Sequence, residues 1–229
     1  MDRKEFYKHN LPHFQQPGQA YFVTWSLKDA VPKKALIRYT RKLELLKSQI
    51  TSMGAANSDS LILKRRGSES ASPELEKLKT EYYSLRKKYI KAYDDLLDAE
   101  RNPNVNLSKP VHTKTIIETL RFWKGIKLEN YAFCIMPNHV HWVFRVFEMD
   151  KNEEPVYLQD ILYSVKRFTA NQINPIENRK VSLWQKESFD TTIRDKKHLY
   201  YAIEYTLNNP VSAGMVKEWK VWPGCWCSE

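Results

Sequence analysis

Residues 20 to 27 read Ala-Tyr-Phe-Val-Thr-Trp-Ser-Leu, alternating large apolar and smaller polar side chains beyond Phe22. A period of two is that of a strand with one covered face, and Pro17-Gly18 supplies the turn into it. The period then lengthens. Leu36, Tyr39, Leu43, Leu46, Ile50 and Met53 recur at alternating steps of three and four, as do Leu75, Leu78, Tyr82, Leu85, Tyr89, Ala92, Leu96 and Ala99. These spacings predict two helices, the second opened by Ser72 as N-cap and Pro73 as first residue. Residues 54–72 between them are rich in Ser, Gly and Asn and carry Lys64-Arg65-Arg66, which reads as a flexible loop. Two heptad seams joined in this way predict an antiparallel helical hairpin that buries its own seam.

Beyond residue 108 the pattern shortens again. Ile116, Ile117, Leu120 and Trp123 predict a helix from Thr113 to about Lys124. Tyr131 to Met136 and His141 to Val146 predict two strands joined by a Pro137-Asn138 turn. Positions 158, 161, 162, 165 and 168 predict a helix from Leu158 to Ile173, with Lys166, Arg167 and Asn171 on its other face. A last helix is expected from Lys197 to about Leu207, stopped at Asn209-Pro210 and followed by a Trp-rich tail. Few strands, several helices and a clear hairpin give an α+β class with an antiparallel sheet. The expected domains are 1–34 with 109–229, and a helical-hairpin insertion at 35–108 whose loop lies at about 54–72.

Composition changes the picture in one respect. Thirty-seven basic residues against twenty-seven acidic ones give a formal charge of +10 over 229 residues. That balance suits a polyanion, because each Lys or Arg that meets a phosphate releases a condensed counterion. Candidates for a DNA groove are Lys166, Arg167 and Arg194, with Trp142, Trp184 and Phe189 as candidate stacking surfaces, although Trp184 and Phe189 fit the core better. Cys134, Cys225 and Cys227 lack a disulfide framework and read as reduced thiols. No apolar run approaches the roughly twenty residues of a membrane span, and the charged start lacks a signal-peptide core, so a cytoplasmic protein is expected. No Gly-x-x-x-x-Gly-Lys loop for nucleotide phosphates is present in the sequence.

Two constellations can carry chemistry. His139 and His141 are two apart on a predicted strand, hence on one face, where two imidazoles can chelate a divalent ion while Val140 points into the core. A bare His-x-His also fits, and on its own fits better, two histidines at a strand end that hydrogen-bond locally. Tyr205 and Asn209 are four apart on the last helix and so share a face. Each has a plain explanation, as a boundary tyrosine and a helix stop. With a histidine pair they acquire a joint sense: an amide oxygen as third ligand and a phenolic nucleophile beside the ion.

The blocks Met136-Pro-Asn-His-Val-His141, Trp184-Gln-Lys-Glu-Ser-Phe-Asp190, Ile193-Arg-Asp195 and Tyr205-Thr-Leu-Asn-Asn-Pro-Val-Ser-Ala-Gly-Met-Val216 together resemble the single-tyrosine, HUH-type transposases. Within them the likeness is greatest to the branch associated with repetitive extragenic palindromes. It spans about residues 13 to 40 and 112 to 224 and frames a first strand like Tyr21-Phe-Val-Thr24; nothing carries over to the helical hairpin. The resemblance implies a ferredoxin-like antiparallel sheet with helices on one face and the histidines on a central strand. It implies metal ligation by His139 and His141, with Asn209 where relatives place a third, amide-type ligand, and Tyr205 as nucleophile. The activity implied is cleavage and rejoining of single-stranded DNA at imperfect-palindrome hairpins through a covalent 5′-phosphotyrosine, by a monomer or homodimer.

The chemistry fits such residues. A divalent cation, Mg²⁺ or Mn²⁺, offsets the negative charge of a phosphodiester for in-line attack. A phenol, with an ordinary pKa of about 10, attacks mostly from its neutral form and needs proximity. Phosphotyrosine retains the ester's energy, so no nucleotide cofactor is required. A shallow metal site with a solvent-reachable phosphate is expected, which favours flexible single strands. Two rivals stand beside this reading. One is a non-catalytic DNA-hairpin-binding protein derived from a transposase; the other is a zinc-stabilised protein using His139, His141 and the Cys225-x-Cys227 pair.

Overall fold

The computed structural model describes residues 6–8, 12–14, 16–32, 34–61, 72–99 and 103–228. The basic triplet Lys64-Arg65-Arg66 lies outside the described residues. Two short strands, β1 (Phe6–Lys8) and β2 (Pro12–Phe14), pair antiparallel. Neither is expected from the sequence, because three residues are too few to display a period. The elements that follow are β3 (Ala20–Ser26), α1 (Ile37–Leu61), α2 (Pro73–Ala99), α3 (Pro110–Phe122), β4 (Leu128–Ile135) and β5 (His139–Val146). After these come α4 (Leu158–Ile176), β6 (Phe189–Thr192), α5 (Lys196–Ser212) and β7 (Cys225–Cys227).

The chain divides into two compact units, 1–30 with 97–229, and 31–96. In the second unit α1 and α2 bury a seam of Leu43, Leu46 and Tyr82, flanked by Ile50, Leu78, Leu85 and Tyr89. An exposed Lys42–Glu81 pair at 2.9 Å joins the two helices across that seam. Ser72 caps α2, its Oγ accepting from the Leu75 N–H at 3.3 Å. Helix α1 runs past Gly54 to Leu61, so the connecting segment begins later than residue 54. Residues 97–108 fall with the sheet-bearing unit rather than with the hairpin. Their burial explains why: Val105 and Leu107 are in the core, and the Leu107 N–H donates to the Pro137 carbonyl at 2.8 Å.

The sheet of the first unit has the order β6-β3-β5-β4-β7, and every neighbouring pair is antiparallel. From β3 to β6, leaving out the inserted hairpin, the order of elements is β3-α3-β4-β5-α4-β6, with β1 and β2 before it and α5 and β7 after it. That is a β-α-β-β-α-β chain with its strands in the spatial order 4-1-3-2, the ferredoxin-like fold.

Strand alternation sorts the side chains onto two faces. One carries Tyr21, Val23, Trp25, Phe133, Val140, Trp142 and Phe144, all at most 1% exposed. The apolar stripes of α3 (Ile116, Leu120) and α4 (Ile161, Leu162, Val165, Ile173) belong to this buried layer. Trp25 Nε1 has no partner among the described residues, but other polar groups of this layer are paired, as burial requires. Trp142 Nε1 donates to Asn130 Oδ1 at 2.7 Å, Asn130 Nδ2 donates to the Leu120 carbonyl at 3.0 Å, and Trp184 Nε1 donates to Thr169 Oγ1 at 2.9 Å. Asn130 reaches this position through a β-bulge between Asn130 and Ala132.

The opposite face carries Phe22, Thr24, Ser26, Ala132, Cys134, His139, His141 and Val143, according to the strand register. Helix α5 covers it, packing Ala202 and Leu207 onto Ala132, Val143 and Ile193. The fold class is the expected one, but the sheet is covered on both faces, by α3 and α4 on one and by α5 on the other. Helix α5 also passes through Pro210 instead of stopping there. Proline removes one bond to the preceding turn, yet the Ala213 N–H still closes onto the Asn209 carbonyl at 2.9 Å. Gly214, with φ 67°, then ends the helix in the left-handed conformation. Asn209 is therefore a regular helical residue, one turn beyond Tyr205.

Candidate active site beneath the last helix

His139 and His141 lie on central strand β5, on the face beneath α5, with their Nε2 atoms 3.0 Å apart. Each ring is held from behind at Nδ1. His139 Nδ1 is 2.7 Å from Asn138 Oδ1, and His141 Nδ1 is 2.8 Å from Thr24 Oγ1, the residue opposite it on β3. Both imidazoles are at most 1% exposed, so burial disfavours their charged forms. Desolvation pulls His139 down to about 3, opposed by the neighbouring Asn209 side chain. His141 is pushed well below its ordinary value by burial, with a smaller contribution from His139.

From α5, Asn209 reaches the same place. Its Oδ1 is buried beside the His139 ring, close enough to favour that ring's charged form, but makes no hydrogen bond of good geometry with a described residue. Leaving such an oxygen unpaired costs roughly 1–3 kcal/mol, so its position beside His139 calls for an occupant. Two facing imidazole nitrogens plus an orphaned amide oxygen fit a divalent cation and leave further coordination positions open. Among the described residues no three His, Cys, Asp or Glu side chains gather to hold a metal. Cys225 Sγ instead lies 3.1 Å from Cys134 Sγ, and all three cysteines are free thiols. That arrangement gives no support to the zinc-stabilised reading.

Tyr205 stands edge-on to His141, ring centroids 5.4 Å apart, and edge-on to Phe22 at 5.7 Å. Phe22 in turn stacks on His141 at 5.7 Å. Tyr205 is 41% exposed while the histidines are enclosed. The expected shallow site is thus corrected: α5 roofs the imidazoles, and the phenol forms the solvent side. The tyrosine ring thus meets a histidine of its own chain.

The expected DNA-contacting cations are not brought together. Lys166 is turned inward: its ammonium donates to the carbonyls of Gln185, Lys186 and Glu187 and to Ser188 Oγ, at 2.8 to 3.4 Å. Burial pulls it down to about 8, with Glu187 acting in the opposite direction. A cation so engaged pins the segment 185–188 and is not offered to phosphate, so we correct its expected role. Lys166→Met should lower stability by about 1–3 kcal/mol in urea unfolding, through the carbonyls left without a donor. Arg167 is exposed on α4, with its guanidinium over the Tyr163 ring, and thus belongs to the helix layer on the other side of the sheet. Arg194 is exposed two residues before α5, whose start at Lys196 lies nine residues, or roughly 14 Å of helix, from Tyr205. Trp142 and Trp184 are core residues rather than stacking platforms.

Phe22, Thr24 and Asn138 escape a reading of the sequence alone. Asn138 looks like a turn residue only, and no local signal places Thr24 opposite His141, 117 positions away.

Histidines kept neutral make stability pH-dependent. With folded pKa values below the unfolded value of about 6.5, the unfolded chain binds more protons under pH 6.5, and stability falls as pH drops from there toward 3. The expected slope approaches about 1.4 kcal/mol per pH unit for each histidine. Urea unfolding at pH 7 and pH 5 checks this, and His139→Gln should flatten the dependence.

No protein-family model matches the chain. Over 103 residues it is 33% identical to a Haemophilus influenzae protein described as "Putative REP-associated tyrosine transposase", across 42% of this chain and 56% of that protein. The chain thus matches little more than half the length of that relative. A solved structure of a REP-associated tyrosine transposase bound to a REP hairpin is similar at a TM-score of 0.43 and 15% identity, over 96% of this chain and 80% of that one. By its sequence, this chain is related to the REP-associated tyrosine transposases.

Proposed function

We propose that this chain is a metal-dependent single-strand DNA endonuclease and strand transferase. It cleaves and rejoins DNA at hairpin (palindromic) sequences through a covalent 5′-phosphotyrosine. The observation that carries the reading is the convergence of four side chains: His139 and His141 with Nε2 atoms 3.0 Å apart, the orphaned Asn209 Oδ1, and Tyr205 edge-on to His141. The relationship to tyrosine transposases and the formal charge of +10 support it.

In this reaction the Tyr205 oxygen forms a bond to phosphorus as the phosphorus–O3′ bond breaks. The phenol loses its proton, and the departing oxygen gains one to become a 3′-hydroxyl. Reversal with a different 3′-hydroxyl rejoins the strand. Mg²⁺ or Mn²⁺, held by His139, His141 and Asn209, would supply charge neutralisation at the phosphate. The residues themselves do the positioning. Phe22 and His141 fix the Tyr205 ring, and α5 keeps Asn209 in phase with it. Neutral imidazoles keep their lone pairs available at neutral pH. A DNA substrate would keep the protein in the cytoplasm.

The enclosure of both imidazoles favours a second reading, a non-catalytic hairpin-binding protein derived from a transposase. Incubation with single-stranded hairpin DNA and Mn²⁺, followed by denaturing electrophoresis, separates the two. A covalent protein–DNA adduct supports the enzyme; hairpin binding without an adduct supports the alternative.

A further inference from the structure

Helix α5 is amphipathic, but its outer face is not the charged and polar surface that a helix ordinarily shows to water. Leu199, Ala202, Ile203 and Leu207 pack with Ala132, Val143 and Ile193, which turns Lys197, Tyr200, Tyr201 and Glu204 outward. Tyr200 is 61% exposed and Tyr201 54%, and their rings meet edge-on with centroids 5.7 Å apart. Tyr201 is four residues before Tyr205, so the two share a side of the helix about 6 Å apart along its axis, and Lys197 extends the row by one more turn. An exposed tyrosine standing alone needs no explanation, whereas a row of rings that ends at the candidate nucleophile does. The charge along the row favours an anion at its start, where Lys196 and Lys197 are both exposed; Glu204 is the helix's single acid.

We propose that the outer face of α5 is the track for the unpaired strand at the cut, with Tyr201 stacking on the base beside the scissile phosphate and Lys197 meeting the next phosphate. The proposal rests on the reading of Tyr205 as nucleophile and names what holds the strand in front of it. A phosphate aligned with the Tyr205 oxygen leaves its neighbouring base free to lie against a ring one helical turn away. Stacking suits this position because every base has a π-face, so the platform accepts any sequence. Bases inside a duplex are already stacked on one another, and the track therefore selects an unpaired strand. Tyr200, edge-on to Tyr201, steadies the platform. Lys197 adds attraction to the backbone and carries no sequence information.

Photochemical cross-linking tests this without cleavage. The full chain is irradiated in EDTA with a DNA hairpin that carries unpaired arms, iodouracil replacing thymine in the arms. The expected result is a cross-link at Tyr201, located by peptide fragmentation; its absence there, wherever else cross-links fall, would overturn the proposal. Affinity for the armed hairpin should fall roughly 10- to 100-fold in Tyr201→Ala and stay within a few-fold in Tyr201→Phe, because stacking needs the ring and not the hydroxyl. A hairpin without arms should bind both variants as it binds the wild type. An equal loss on the armless hairpin, or a Phe variant as weak as the Ala variant, would sink the stacking role. Lys197→Ala should reduce the slope of log affinity against log salt by about 0.7, and an unchanged slope would remove Lys197 from the track. A wild-type chain that cross-links at Tyr201 yet forms no adduct with Mn²⁺ would reject cleavage and leave the strand track standing. Adduct formation with undiminished affinity in Tyr201→Ala would reject the track and leave the endonuclease.

Discussion

Tyr205→Phe is expected to abolish covalent adduct formation on hairpin DNA, a loss on the order of a thousandfold or more in cleavage rate, while hairpin binding stays within a few-fold. The substitution leaves ring and backbone in place. The phenyl ring that remains can keep the edge-on contacts that Tyr205 makes with Phe22 and His141, with centroids 5.7 and 5.4 Å away, so the site should not collapse. Only the nucleophilic oxygen is lost. Water is a poor replacement, since it is neither positioned by α5 nor retained on the product as a bond that can be resealed. The measurement is denaturing electrophoresis with Mn²⁺ and labelled hairpin, beside a binding assay under the same conditions. Residual adduct would transfer the role elsewhere on α5, where Tyr200 and Tyr201 are both more than half exposed.

His139→Ala and His141→Ala should each lose cleavage to a similar degree, with partial rescue at most by excess Mn²⁺. A single imidazole and the Asn209 oxygen hold an ion weakly and no longer aim it. Each variant also leaves a buried group without its partner, Asn138 Oδ1 in one case and Thr24 Oγ1 in the other, at a cost of about 1–3 kcal/mol. Circular dichroism and urea unfolding must therefore accompany the assay, to separate a folded inactive variant from an unfolded one. Full cleavage by either folded variant, still dependent on metal, would mean that the ion lies somewhere else. The two predictions differ in one useful way: the Tyr205→Phe variant should keep wild-type Mn²⁺ affinity, and the histidine variants should not.

Much of this site was legible in short segments. His139 and His141 share a strand face because the side-chain period of a strand is two, and Tyr205 and Asn209 share a helix face because four residues make about one turn. Those relations are fixed by backbone geometry within a few residues, and the structure keeps both. The heptad seam of Leu43, Leu46 and Tyr82, the Ser72 cap and the antiparallel hairpin of β4 and β5 belong to the same class.

What failed to show was anything set by a partner far along the chain. Lys166 has the spacing of a solvent-facing helix residue, and nothing near it announces that the carbonyls of residues 185–187 will take its protons. The Asn209-Pro210 step is locally a stop signal, yet α5 continues to Ser212 with Leu207 packed into the cluster of Ala132 and Val143. The sequence by itself determined which residues could act together: the two histidines on one strand and the tyrosine with the asparagine on one helix. Only the tertiary structure decided that the two pairs meet, that α5 roofs the imidazoles, and that Thr24 and Asn138 address different rings. The physical reason is that periodicity is a local property of the backbone. The register of β3 against β5 and the choice of sheet face for α5 follow from long-range burial, which no short window of sequence contains.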